Sequence, residues 1–170
     1  MIKTFFLFFI IVISCYGKSN NEKFIIDVTS CSNLIQKDYS KEQRIPIKLV
    51  ISQAIIESNW GRSRFAKEGN NFFGMRTWDL TRDHMKPQLN ANSKFGLVIY
   101  PDLCSSVKDY IENINTSEKY YELRRVRAIE LKLWDNVSAK ILAKFLTSYS
   151  EEGEEYVEKV IRQIGFLNID

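Results

Sequence analysis

Apolar side chains recur every three or four positions through most of this 170-residue chain, and the places where that rhythm fails mark its other elements. The first stripe predicts a helix over residues 28–39. A second opens at Pro46, whose fixed φ suits a first helical turn, and carries Ile47, Val50, Ile51, Ala54 and Ile55 toward a core until Gly61 breaks it. A short helical piece follows over 62–68. From Met75 to Asp102 no 3.6-residue period survives, and β-branched and aromatic residues over 94–100 predict a strand or hairpin arm. Helical spacing returns with Val107, Tyr110, Ile111 and Ile114, then with Tyr120, Leu123 and Val126 after a Thr116-Ser117 start signal. Residues 138–149 set Ile141, Leu142, Phe145 and Tyr149 at core spacing, and residues 154–164 do the same with Val157, Val160, Ile161 and Ile164. No repeat divides the chain. The expected fold class is therefore mainly α (α+β): one domain over 28–170, with a small β-hairpin lobe inserted after its second helix and flanking a cleft.

Composition narrows the function classes. With 45% hydrophobic and 26% charged residues the chain has enough apolar content for one globular core. Its net charge of +3 comes from scattered Lys and Arg, so the clustered cations of a nucleic-acid surface are missing, while a mildly basic surface suits an anionic polymer. Residues 1–15 read as a signal peptide: Lys3 precedes an apolar run over 5–13 that is too short to span a bilayer. Val12-Ile13-Ser14-Cys15 resembles a bacterial lipoprotein cleavage box, the alternative being ordinary cleavage near Gly17. A lipidated Cys15 would tether the chain to a membrane, with 16–27 as a linker. The expectation is an exported protein of the periplasm or cell envelope. Two further cysteines, Cys31 and Cys104, suit either a disulfide or two buried thiols. With His84 as the single histidine, and no ligand spacing near the cysteines, neither a metal nor an organic cofactor is expected.

The stretch from Ala54 to Met75, AIIESNWGRSRFAKEGNNFFGM, concentrates the candidate chemistry. Val50, Gln53 and Ala54 lie seven, four and three positions before Glu57 and share its helical face. A carboxyl among such neighbours is desolvated, which disfavours its charged form and holds a proton ready for a glycosidic oxygen. The plainer alternative is a half-exposed Glu at a helix end. Sugar rings present flat C–H faces and ringed hydroxyls, so a polysaccharide cleft calls for aromatic platforms beside amides; Asn71, Phe72, Phe73, Trp78 and Tyr100 are the candidates. Trp60 and Phe65 read instead as core residues.

The run from Gln53 through Glu57-Ser-Asn-Trp60-Gly61 to Phe65-Ala, followed by Gly69-Asn70-Asn71-Phe72-Phe73-Gly74, resembles bacterial glucosaminidases that cut peptidoglycan, above all their Bax-type branch. Asn113-Ile-Asn115-Thr116, Tyr120-Tyr-Glu-Leu123-Arg124 and Tyr149-Ser150-Glu151-Glu152-Gly153 resemble the same branch in the same order. The resemblance implies a lysozyme-like fold and an endo-β-N-acetylglucosaminidase acting after N-acetylglucosamine in wall glycan, with Glu57 as general acid and Tyr149 assisting at the reacting sugar. The plainer alternative for Tyr149, on periodicity alone, is the last core aromatic of its helix. The β-lobe holds no Glu for a second catalytic carboxylate, only Asp79 and Asp83, which leaves open a route in which the substrate's own acetamido oxygen attacks. The rivals are a lytic transglycosylase or muramidase, against which the Asn-Asn-Phe-Phe-Gly-Met block speaks, and a non-catalytic wall-binding lipoprotein. Cleavage of glycoprotein N-glycans is disfavoured, because an exported bacterial-type chain meets wall first.

Overall fold

A computed structural model describes residues 19–87 and 93–169, so the expected signal peptide over 1–15, with Cys15, lies outside the described residues. Helix α1 spans Asn20–Gln36, starting eight residues before its expected position. Ser19 sets that start with a capping box: its side chain accepts from the Glu22 N–H while the Glu22 carboxylate accepts from the Ser19 N–H. Residues 20–27, read from the sequence as linker, therefore belong to the helix and bury Phe24.

Helix α2, Ile47–Ser58, is the central element, packed against α1, α6 and α7. It is buried from Leu49 to Ile55 without interruption, as a helix surrounded by others must be. It ends at Asn59, where Asn59, Trp60 and Gly61 take left-handed φ values of 49°, 59° and 72° in succession. The expected break at Gly61 is thus a three-residue reversal. Trp60 meets Phe24 edge to face at 6.2 Å, which ties this reversal to α1 as its core reading requires. A short α3, Arg64–Gly69, carries Phe65, which is half-buried beneath the Arg64 guanidinium rather than in the core.

The region without helical period forms a three-stranded antiparallel sheet of order β1-β3-β2, with β1 at Arg76–Thr77, β2 at His84–Met85 and β3 at Gly96–Val98. The expected strand over 94–100 is its short middle member.

Helix α4, Leu103–Thr116, buries Val107, Tyr110, Ile111 and Ile114 as its stripe dictates. A disulfide joins Cys31 of α1 to Cys104 of α4, which settles the alternative the sequence left open. The loop between them is 73 residues, so the constraint on the unfolded chain is worth on the order of 4 kcal/mol. Helix α5, Tyr121–Trp134, leads to α6, which covers only Ala139–Ala143 where twelve residues of helix were expected. Beyond it the backbone tightens into successive three-residue hydrogen bonds, from Lys144 to Ile141, Phe145 to Leu142 and Leu146 to Ala143. Leu146 takes the core position and Ile141 turns outward. Helix α7, Glu154–Phe166, closes the domain and buries Tyr156 along with Val157, Val160 and Ile164.

Candidate active site

Glu57 lies in the last turn of α2, at a cleft of about 570 Å³ whose walls come from distant parts of the chain. One wall is the Phe73–Arg76 segment with Trp78, a second is Asn113, Lys119 and Tyr120, and the third is the Ser148–Glu152 loop. Burial holds the Glu57 carboxyl above the usual carboxylate range, opposed by the Tyr156 hydroxyl. The negative charge of Glu152 adds to the rise and the Arg76 guanidinium subtracts from it. Glu57 is half-buried at the helix end, yet burial is the largest influence on its carboxyl, which faces a groove.

Gly74 lets the chain pass close over this carboxyl. Its φ is +65°, and a Cβ there would stand 3.2 Å from Glu57 Oε2. Both the backbone conformation and the space exclude a side chain at no cost. The Tyr149 hydroxyl donates to the Phe73 carbonyl at 2.8 Å, which pins the same segment from the opposite wall. Its ring stacks on Tyr156 at 5.4 Å and meets Tyr110 edge-on at 6.4 Å. Burial and the neighbouring Tyr156 and Glu57 hold the Tyr149 phenol far above its ordinary pKa, so it is a neutral hydrogen-bond donor.

Among the expected glycan contacts, Trp78 fits: it lines the cleft with 66% of its surface exposed, leaning toward Phe95 at 6.2 Å. The others are placed differently. Asn71 is buried, with its amide donating to the Met75 and Val98 carbonyls and accepting from the Met75 N–H; it staples the loop to the sheet. Phe72 packs on Phe24 at 6.0 Å and lies outside the cleft lining. Phe73 borders the cleft, but its ring is buried and stacked on Tyr110 at 4.2 Å. Tyr100 is buried too, its hydroxyl donating to Asp109. An amide or aromatic near the motif satisfies composition without revealing which way it points, and here backbone carbonyls and core aromatics claim these side chains first.

The candidate second carboxylates are also elsewhere. Asp79 folds back on its own turn, accepting from the Thr81 N–H and hydroxyl, bonds that hold its pKa below the usual range. Asp83 is exposed and outside the lining. Among the described residues, the carboxylates that do share the cleft with Glu57 are Glu151 and Glu152. Glu151 lies 3.4 Å from Arg76, and Glu152 lies 2.8 Å from Lys159. Sequence spacing cannot reveal them, because they reach the site only through the turns after α6. Gly74 had a legible signal, a glycine closing an aromatic run, but its proximity to Glu57 did not.

The profile of the family described as Glucosaminidase, mannosyl-glycoprotein endo-beta-N-acetylglucosaminidase, matches residues 34–168. Protein bax of Escherichia coli K12 is 32% identical over 112 residues, covering 66% of this chain and 39% of its own, so the chain spans about two fifths of that relative's length. Among solved structures, the catalytic domain of the autolysin Auto from Listeria monocytogenes superposes with a TM-score of 0.66 at 20% identity, covering 90% of this chain and 87% of that one. The glycoside hydrolase domain of FlgJ from Salmonella typhimurium gives 0.57 at 17% identity, covering 85% and 95%. At such identities the two structures speak for the shared fold, and the profile speaks for descent. The chain belongs to the glucosaminidase family of glycoside hydrolases.

Proposed function

We propose that this protein is an endo-β-N-acetylglucosaminidase that cuts the β-1,4 bond after N-acetylglucosamine in peptidoglycan glycan strands, with Glu57 as the general acid. The observation that carries the reading is a carboxyl whose pKa burial raises, at the floor of an open groove, beneath a glycine that keeps its oxygen uncovered. In this role Glu57 protonates the leaving oxygen as positive charge develops at the anomeric carbon. Tyr149 fixes the Phe73–Gly74 backbone over the carboxyl, and Trp78 offers a platform for a sugar face. Product stereochemistry narrows the second group: inversion points to water activated by Glu151 or Glu152, and retention to a nucleophile, either one of those carboxylates or the substrate's own acetamido oxygen.

The test is mass spectrometry of products released from purified peptidoglycan, with wild type beside Glu57→Gln. Fragments with N-acetylglucosamine reducing ends from wild type alone support the proposal. N-acetylmuramic acid or anhydro ends would reassign the bond, and equal release by Glu57→Gln would remove Glu57 from the mechanism. The proposal includes export and attachment to a membrane through Cys15, read from its sequence context. Fatty-acid labelling that persists in Cys15→Ser would overturn that part.

A further inference from the structure

Behind Glu57 runs a buried polar chain that the general-acid reading does not use. Gln53 stands one helical turn before Glu57 on α2 and has no exposed surface. The Tyr110 hydroxyl, from α4, donates to Gln53 Oε1 at 2.6 Å. Gln53 Nε2 in turn donates to the Tyr156 hydroxyl, from α7, at 2.9 Å. The Tyr156 hydroxyl, held there one helical turn from Glu57, acts to lower the pKa of the Glu57 carboxyl. We propose that Gln53 is a positioning residue for the general acid: its carboxamide, oriented by Tyr110, occupies the acceptor side of the Tyr156 hydroxyl and so turns the Tyr156 proton toward Glu57.

The order of donors gives the chain its function. An amide is a donor at nitrogen and an acceptor at oxygen, so fixing one end fixes the other. With Oε1 engaged by Tyr110, Nε2 must face Tyr156, and the Tyr156 proton is left for the carboxyl. On this proposal the three donors act in series toward Glu57 and polarise one another, which favours the carboxylate left once the acid has given up its proton. Burial by itself makes that carboxylate costly. The chain therefore works against burial, so that the carboxylate formed in the reaction is tolerated. A flipped amide would reverse the line and aim the Tyr156 proton at Gln53, away from the carboxyl.

Other groups act on Glu57 from the remaining walls: Glu152 from the loop before α7, Arg76 from β1, and the Tyr110, Tyr120 and Tyr149 phenols. Tyr149 and Tyr110 do not replace the donor that Gln53 directs, because Tyr149 is spent on the Phe73 carbonyl and Tyr110 on Gln53 itself.

The inference rests on Glu57 being the general acid, and its test separates the two. In the full chain, carbon-13 NMR titration of the Glu57 carboxyl needs no substrate and reads the chain of donors directly. Gln53→Met preserves the bulk of the side chain and removes both hydrogen bonds, and Tyr156→Phe removes the last donor. Both are expected to raise the Glu57 titration midpoint by about one pH unit. Both should move the alkaline limb of kcat upward by a similar amount while KM changes less than twofold. The double variant should shift no further than the larger single variant, since the two act in series. An unmoved midpoint in either folded variant, even with a lowered Tm, would reduce the chain to packing and overturn the proposal. Should Gln53→Met fail to fold, Tyr156→Phe decides alone. A shifted midpoint together with full activity in Glu57→Gln would keep the chain of donors and reject the acid.

Discussion

The two sides of the cleft are built on opposite principles. The floor, where α2, α4 and α7 meet, sets Glu57 and Gln53 against Tyr110 and Tyr156 in a desolvated setting joined across the sequence: Gln53 and Tyr156 are 103 positions apart. The β-lobe is short-stranded and exposed, with Trp78 turned to solvent and Asp79 satisfied by its own turn. The floor gains its chemistry from exclusion of water, which magnifies each charge and each hydrogen bond. The lobe gains its use from exposure, which leaves an aromatic face free for a bound ring. The comparison teaches that changes to the floor should act on turnover and on pH dependence, and changes to the lobe on affinity.

The sharpest way to break that contrast is Gly74→Ala, at the seam between them. The added Cβ meets Glu57 Oε2 at 3.2 Å and the left-handed backbone adds strain of about 1 kcal/mol. A fall in kcat on the order of a hundredfold is expected, with the fold retained by circular dichroism. Next in size is the disulfide. Cys31→Ser with Cys104→Ser should lower stability by about 3–4 kcal/mol in denaturant titration, and the loss should fall on the helical body that α1 and α4 brace. Trp78→Ala tests the lobe: about a tenfold rise in KM for wall fragments, equal to about 1.4 kcal/mol, with kcat and Tm nearly unchanged. If kcat fell instead, the division between floor and lobe would be wrong.

The smallest effect is a stability change that depends on pH. Because burial raises the Glu57 pKa in the folded chain, the folded state binds more protons than the unfolded one between the ordinary Glu value and the raised one. Stability is then lost as pH rises through that window. Glu57→Gln should match wild type below it and exceed wild type above it, read as the difference in Tm between acid and neutral pH. A Tm difference independent of pH would show that Glu57 is not desolvated.

Much of the floor was legible in the sequence. The stripes of α2, α4 and α7 announced themselves through spacing, and Glu57 could be placed among apolar neighbours because residues one helical turn apart must share a face. The lobe was legible only as an interruption. Asn71, Phe72, Phe73 and Tyr100 have the right chemistry for sugar, but their directions depend on Asn70 and Gly74, both at positive φ, and on backbone carbonyls that an isolated motif does not display. The early end of α6 was hidden for a similar reason: the apolar rhythm through Leu142, Phe145 and Leu146 is satisfied by tight three-residue turns as well as by a helix.

The sequence by itself determined which segments are helices, where an acid stands on one of them, and which family the chain resembles, because periodicity and local motifs are short-range properties. Only the tertiary structure decided which carboxylates share the cleft, that Gly74 leaves the acid uncovered, and that Gln53 lies between two phenols. These are distances between segments up to 103 residues apart, fixed by how helices pack rather than by any spacing along the chain.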